Sequence, residues 1–222
     1  IRELNYYYVD KTGLIKTLLQ GEMDQVTLIT RPRRFGKTMA MNMLNSFLDI
    51  RKDSRHLFEG LEIFDEIEIC EKWMNQYPTL FLSFKDVDGT IFENAFNFLK
   101  FVIASLCSQH SYLQTGKNIK ENEKDTFSRL RNQTASITDI KGSIVTIMDM
   151  MQSYYKKPVI LLIDEYDVPI AKASNNGYYK EMLEVIKGML STALKDNSSL
   201  KFAVITGCLK IAKESIFTGT NN

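Results

Sequence analysis

Four short apolar runs stand out along the chain, and segments with a helical spacing of apolar residues lie between them. The last three runs are almost entirely apolar, which is typical of strands covered on both faces of a parallel sheet. Because strands that alternate with helices form crossover units, the pattern predicts an α/β fold with a mainly parallel sheet. The predicted strands are Val26–Thr30, Thr79–Phe84, Val159–Ile163 and Phe202–Thr206.

Four apolar stripes with a period of three to four residues predict amphipathic helices between these strands. The stripes begin at Ala40, Phe92, Ile144 and Tyr179, whereas the polar stretch Thr115–Asn122 is predicted to be the most loop-like part. No internal repeat or linker divides the chain, so the sequence predicts one domain over residues 1–222. The chain begins at Ile1 without a Met, which is expected of a fragment or a trimmed chain, and the domain is predicted to be the N-terminal part of a longer protein.

The charge balance and the cysteine spacing give no support to nucleic-acid binding, a zinc site or a disulfide framework. The 28 Lys and Arg residues nearly balance the 27 Asp and Glu residues, so no global positive field favours nucleic-acid binding and only a local patch would support it. The three cysteines fit neither a zinc-ligand spacing nor a disulfide framework, and no signal peptide precedes them, which predicts a cytoplasmic location. No apolar run reaches membrane-spanning length, so no contact with a membrane is predicted.

A phosphate-binding loop is predicted at residues 31–38, RPRRFGKT, which follow the first strand and open the first helix. This is the setting of a Walker A motif, whose backbone N–H groups wrap phosphate oxygens at a helix N-terminus. Gly36 lets the backbone approach the phosphates, Lys37 would reach the β- and γ-phosphates, and the Thr38 hydroxyl would hold Mg²⁺. The segment therefore predicts ATP and Mg²⁺ as ligands. The predicted nucleotide-binding residues are Arg33, Arg34, Phe35, Gly36, Lys37, Thr38 and Met39, and Lys37 is also a candidate catalytic residue.

The loop departs from the usual pattern, because Arg31 stands where the motif begins with Gly. The tripeptide Gly-Lys-Thr is common by chance, and its alternative interpretation is an ordinary helix start. The preceding strand, the following apolar helix and a second motif favour the phosphate loop. Two interpretations of Arg33 and Arg34 stay open: solvated loop charges, or cations that supplement phosphate binding or contact a partner.

The second motif is an apolar strand that ends in two adjacent carboxylates, Asp164 and Glu165. Asp164 at the carboxyl end of a buried strand can bind Mg²⁺ through water opposite Thr38, as a Walker B carboxylate does. Glu165 can accept a proton from the attacking water as a general base. The alternative is that both residues serve as turn or helix-cap residues, which often follow strands.

A Glu directly after the Asp favours hydrolysis over transfer to a second substrate, and it is typical of the ATPase branch that includes AAA and RecA-like proteins. In that branch an extra strand lies between the strands that carry the two motifs, and a polar residue at its tip contacts the γ-phosphate or the attacking water. Phe202–Thr206 would be this strand, with Thr206 as the catalytic sensor. Alternatively, Thr206 only caps the turn before Gly207.

Six strings along the chain are typical of one family: YYVDKT at residues 7–12, RPRRFGKT at 31–38, LFEGL at 57–61, LSFKDV at 82–87, IDEYDVP at 163–169 and TGCLKIAKESIFTG at 206–219. Through them the chain resembles the bacterial predicted AAA-ATPase (AAA-ATPase-like) family over essentially its whole length. Arg31 in place of Gly is typical of that family, whereas Lys210 departs from the Arg that is usual there. The difference matters if that position contributes a positive charge to catalysis, because Lys and Arg are not interchangeable in such a role.

The resemblance implies a P-loop NTPase three-layer sandwich, followed in a longer protein by a helical segment and a PD-(D/E)XK nuclease-like domain. The fifth core strand of this branch is expected beyond Asn222, so the first strand should lie at an open edge, which would invite self-association. Two assignments stay open: Tyr6, Tyr7 and Tyr8 either stack on adenine or pack against the core, and Tyr166 and Asp167 are either structural or linked to the substrate.

The leading functional hypothesis is an ATPase whose hydrolysis drives a conformational change in attached domains. The alternative is a nucleotide-operated switch with slow or partner-dependent hydrolysis. A kinase is disfavoured by the Glu beside Asp164 and by the lack of a recognisable acceptor lid.

Overall fold

Four parallel strands form one sheet in the computed structural model, which describes residues 9–20 and 24–208. Their order across the sheet is β1-β4-β3-β2, so β4 separates the strand before the phosphate loop from the strand of the acidic motif. This arrangement confirms the predicted sheet and the predicted extra strand, with ends that shift by one or two residues. The strands are β1 Val26–Thr30, β2 Thr79–Ser83, β3 Val159–Asp164 and β4 Leu200–Gly207.

Helices connect the strands and cover the sheet. The four predicted apolar stripes all fall on helices, namely α2, α5, α8 and α10. In the described ranges the α-helices are α1 Gly13–Leu19, α2 Lys37–Leu48, α3 Arg55–Phe58, α4 Ile67–Trp73, α5 Phe92–Gln109, α6 Glu121–Arg131, α7 Ile137–Lys141, α8 Ser143–Tyr155, α9 Val168–Asn176 and α10 Tyr179–Leu194, and 3₁₀ turns span Glu62–Asp65 and Ser111–Thr115.

Two apolar layers lie on the two faces of the sheet, because successive side chains of a strand point to opposite faces. Leu161 and Ile163 of β3 pack into the larger layer with α5, α6, α8 and α10. Ile160 and Leu162 pack into the smaller layer with α1, α2 and α4. The domain is therefore a three-layer sandwich, and every residue of β3 is buried.

The stretch Thr115–Asn122 is a loop over residues 116–120, as predicted, but its two ends are helical. A 3₁₀ turn ends at Thr115, α6 begins at Glu121, and Ile119 between them is buried in the larger core. The apolar pattern is weak here because Phe127 and Leu130 are the buried residues of α6. Because the first turn of α6 is polar, its start could not be predicted from an apolar pattern, although Phe127 and Leu130 pack the helix against the core.

The strand β1 lies at an edge of the sheet within the described part of the chain. Its residues pair in parallel with β4, from Val26 opposite Ala203 to Thr30 opposite Gly207. This position confirms the predicted edge. The fifth strand beyond Asn222 stays a prediction, as does self-association through the edge. Residues 6–8 and Lys210 lie outside the described residues.

A polar cluster lies at the far end of α2 from the phosphate loop, near the amino ends of the strands. Asp49 follows α2 and pairs with Tyr77 just before β2. The Arg51 guanidinium donates to both carboxylate oxygens of Asp49, with Nη2 2.8 Å from Oδ2 and Nε 3.1 Å from Oδ1. Arg51 Nη1 also lies 3.4 Å from His110 Nδ1, which lies 3.1 Å from the Tyr112 hydroxyl. We refer to Asp49, Arg51, His110 and Tyr112 as the Asp49 cluster.

Candidate functional site

The loop between β1 and α2 turns through two residues with left-handed backbone conformation. Arg34 has φ +66° and Gly36, at the N-cap of α2, has φ +82°, which glycine adopts without a Cβ penalty. The Ala40 N–H donates to the Gly36 carbonyl at 2.9 Å and starts the helix. The N–H groups of the first turn therefore precede the first intrahelical bond and are available to an anion at the helix N-terminus.

The Lys37 side chain folds back along this loop. It is 8% exposed, and its Nζ donates to the carbonyl oxygens of Arg31 at 2.8 Å and Pro32 at 3.0 Å. The same Nζ lies 3.3 Å from the Cys208 Sγ. Among the described residues Lys37 forms no salt bridge, so a nearly buried cation is held by neutral groups.

The two sequence motifs meet at the Asp164 carboxylate, which is fully buried. The Thr38 hydroxyl donates to Asp164 Oδ2 at 2.8 Å across 126 positions of sequence. The Thr206 hydroxyl donates to the other oxygen, Oδ1. A hydroxyl and a carboxylate in contact are oxygen donors of the kind that a divalent cation such as Mg²⁺ prefers.

Glu165 directly follows β3 with φ +55°, and it is half-buried. Its N–H lies 3.5 Å from the Thr206 hydroxyl. Burial raises the pKa of the Glu165 carboxyl, the charges of Asp164 and Asp167 raise this pKa further, and the charges of Lys37 and Arg33 oppose the rise. A carboxyl with a raised pKa binds a proton more strongly when ionised, which suits a proton acceptor.

The structure thus brings five predicted residues together and leaves others at the surface. Lys37, Thr38, Asp164, Glu165 and Thr206 form one group at the carboxyl ends of β1, β3 and β4. Arg33 lies near enough for its charge to act on Glu165, although it is exposed. Gly36 is half-buried at the N-cap of α2, and the other three predicted residues, Arg34, Phe35 and Met39, are exposed, with 62% of the Phe35 surface accessible.

Cys208 and Gly207 are members of the site to which sequence reasoning gave no role. The Gly207 carbonyl accepts from the Arg31 N–H at 3.2 Å, so the end of β4 supports the start of the phosphate loop. Cys208 contacts Lys37 through its sulfur. A glycine directly after a polar residue at a strand end was the one signal in the sequence that could have indicated this close approach.

None of the helices in the described ranges combines the length and the apolar character needed to cross a membrane.

The comparisons with known proteins come from sequence. The chain is 26% identical over 219 residues to an "Uncharacterized protein in vnfD 5'region" of Azotobacter chroococcum mcd 1, an alignment that covers 98% of the chain and 37% of the relative. No solved structure gives a significant match. The model of a family described as "Predicted AAA-ATPase" matches residues 1–217. With nearly every residue matched, the chain belongs to the predicted AAA-ATPase family.

Proposed function

We propose that the chain binds ATP with Mg²⁺ and hydrolyses it. The observation that carries the proposal is the contact between the Thr38 hydroxyl and the Asp164 carboxylate, 2.8 Å apart. This contact joins the phosphate loop to the acidic strand end, beside the nearly buried Lys37.

The donor set fits the nucleotide and the metal. The unpaired N–H groups of the first turn of α2, together with the partial positive charge of the helix N-terminus, would hold phosphate oxygens. Lys37 would exchange two neutral carbonyl acceptors for phosphate oxygens, and such charge-assisted hydrogen bonds are stronger than neutral ones. Thr38 and Asp164 would hold Mg²⁺. The ion, when bound, neutralises charge on the phosphates.

Hydrolysis needs a proton acceptor near the attacking water, and this role is proposed for Glu165, which directly follows Asp164 at the end of β3. The raised pKa of its carboxyl favours proton uptake. Thr206 fixes the neighbouring Asp164 through its hydroxyl and lies beside the Glu165 N–H. We therefore assign Glu165 as the general base and Thr206 as the sensor at the tip of β4.

The proposal also includes a cellular role for the chain. The chain spans 37% of the length of the relative it matches, so a conformational change in attached domains is proposed for a longer polypeptide. The three cysteines are free thiols, which supports a cytoplasmic location. The nuclease-like domain stays a prediction from the family resemblance.

The experiment is a comparison of the 222-residue chain with its Glu165→Gln variant. Glu165→Gln should bind ATP and Mg²⁺ like the parent chain, while single-turnover cleavage of bound ATP falls about 100-fold or more, which is the usual contribution of a positioned base. Glu68→Gln, an exposed change on α4, serves as the matched control and should keep full activity.

Full cleavage by Glu165→Gln would contradict the assignment of the base. A parent chain that binds ATP but cleaves it as slowly as Glu165→Gln would favour the nucleotide-operated switch over the ATPase. A parent chain that binds no ATP would refute both.

A further inference from the structure

The turn that follows β3 and the end of β4 are tied together by one buried carboxylate. Asp167 is 3% exposed and stands at the N-cap position of α9, yet its side chain makes no capping hydrogen bond to that helix. Its Oδ2 accepts instead from the Cys208 N–H at 2.9 Å, across 41 positions of sequence. The Asp167 side chain therefore bridges two strand ends of the site.

Tyr166 and Asp167 pack so closely against the Gly207 backbone that no residue but glycine fits at position 207. A Cβ on Gly207 would lie 2.6 Å from Cε1 of Tyr166 and 2.8 Å from Oδ1 of Asp167. Both distances are shorter than real Cβ contacts, and the Gly207 backbone is not in the left-handed region. The glycine is required for packing here, because Tyr166 and Asp167 press against the backbone at the end of β4.

The packing of Tyr166 and Asp167 against Gly207 forms a junction between the turn after β3 and the end of β4. Two backbone hydrogen bonds connect this junction to the candidate site. The Tyr166 N–H donates to the Thr206 carbonyl at 3.1 Å, and the Arg31 N–H donates to the Gly207 carbonyl at 3.2 Å. The peptide between Thr206 and Cys208 is thus held between the β3 turn and the first residue of the phosphate loop. Any movement of the Cys208 end would displace Thr206, whose hydroxyl is only 3.5 Å from the Glu165 N–H.

We propose that Asp167 is a positioning residue for ATP hydrolysis, which acts through its hydrogen bond to the Cys208 N–H and thereby fixes Thr206 against Asp164 and Glu165. The inference rests on the proposed ATPase function. What Asp167 supplies is an acceptor at the right place, and its charge is not required. Asn can supply the same acceptor, whereas Ala cannot. Glu keeps the charge, but its extra methylene does not fit the space between Asp167, Gly207 and the Cys208 N–H.

The test is a series of single-turnover measurements on the 222-residue chain. They quantify the cleavage of bound ATP even where it is slow. Asp167→Ala should lower the cleavage rate of bound ATP by about 10- to 100-fold, the size of effect expected when a site is misplaced by about an ångström. The Kd for ATP should change by no more than about threefold, because the interaction acts on the reaction step. Asp167→Asn should restore the rate to within about threefold of the parent chain.

The matched control is Asp149→Ala. Asp149 accepts a hydrogen bond from the Ser199 hydroxyl near the opposite end of β4, so its removal tests a similar structural loss outside the site. This variant should cleave ATP at the parent rate even if its melting temperature falls as much as that of Asp167→Ala.

The inference would be overturned if Asp167→Ala cleaved ATP at the parent rate. It would also be overturned if Asp167→Asn cleaved ATP as slowly as Asp167→Ala, because that result would indicate that the charge is required. If Asp167→Ala does not fold, the order of the other two variants decides, and Asp167→Asn must be faster than Asp167→Glu. A failure of the ATPase proposal would appear in the parent chain and in Glu165→Gln, whereas a failure of this inference would appear only in the Asp167 series.

Discussion

Two polar clusters lie at opposite ends of α2, each built around buried charges, and the partners of those charges differ. In the Asp49 cluster the buried Asp49 carboxylate is neutralised by Arg51, which donates to both of its oxygens. In the candidate site the nearly buried Lys37 donates to backbone carbonyls, and the buried Asp164 accepts from hydroxyls. Within the described residues neither Lys37 nor Asp164 forms an ion pair.

The difference separates a structural cluster from a site that is built for a ligand. A buried charge is costly unless it is paired, so a cluster that serves stability neutralises its charges internally. Among the described residues Lys37 and Asp164 have neutral hydrogen-bond partners, although the charges of both act on Glu165. The cation is therefore able to take phosphate oxygens, and the carboxylate is able to take a metal ion. The comparison predicts that changes at the Asp49 cluster alter stability, whereas changes at the site alter binding.

The largest effect on stability is expected from Arg51→Ala. This change leaves the buried Asp49 carboxylate without its counter-ion, and breaking such a pair costs about 3 kcal/mol in the free energy of unfolding. The value is at the lower end for buried pairs because the Arg51 side chain is 30% exposed. Urea-induced unfolding of the variant and the parent chain measures the difference.

The matched control for Arg51→Ala is Arg129→Ala. Arg129 donates from Nε and Nη2 to Asp139 in the same two-point geometry, but at the surface. Exposed pairs contribute about 1 kcal/mol or less. Equal losses in the two variants would show that the Asp49 cluster is not the stabilising element described here.

A smaller effect is expected from lowering the pH, through His110. Burial lowers the pKa of His110 from 6.5 to about 4, and the Arg51 charge adds to this, while the Asp49 charge opposes it. The unfolded chain therefore binds a proton at a higher pH than the folded chain, so stability is complete above pH 6.5 and is lost as the pH falls towards 4. Between pH 7 and pH 5 the loss attributable to His110 should be about 2 kcal/mol.

The variant that tests this assignment is His110→Gln, which should flatten the dependence of the unfolding free energy on pH over this window. A parent-like slope in His110→Gln would contradict the assignment of this loss to His110.

The strands and the two motifs could be predicted from sequence because their signals are local. The fully buried β3 is a run of five apolar residues before Asp164, which identifies both the strand and the place of its carboxylate. The start of β4 was less accessible to prediction. Lys201 interrupts the apolar run, although in the fold its ammonium lies over the rings of Trp73 and Tyr77, 5.8 Å and 5.9 Å from their centroids.

The junction at Gly207 could not be predicted, because it depends on which turns meet in space. The sequence left Asp167 as either structural or linked to the substrate, since a carboxylate soon after a strand suits both roles. Its actual partner is the backbone N–H of Cys208, which carries no side-chain signal. The backbone acceptors of Lys37 are hidden from sequence for the same reason.

The smallest effect on stability is expected from Lys37→Ala, which is also the most direct test of the central claim. Because Lys37 has neutral partners, its removal should change the free energy of unfolding by no more than about 1 kcal/mol. Loss of its contact with the phosphates should weaken ATP binding by about 2 kcal/mol or more, which is roughly 30-fold. Lys124→Ala, a change in an exposed ion pair on α6, is the control and should bind ATP normally.

The decisive measurement is a calorimetric titration of ATP, with Mg²⁺ present, into the parent chain and into Lys37→Ala. We expect binding by the parent chain and a loss of about 30-fold or more in the variant, with little change in its stability. Equal affinity in the two proteins, or a variant that loses stability instead of binding, would contradict the assignment of this site to ATP.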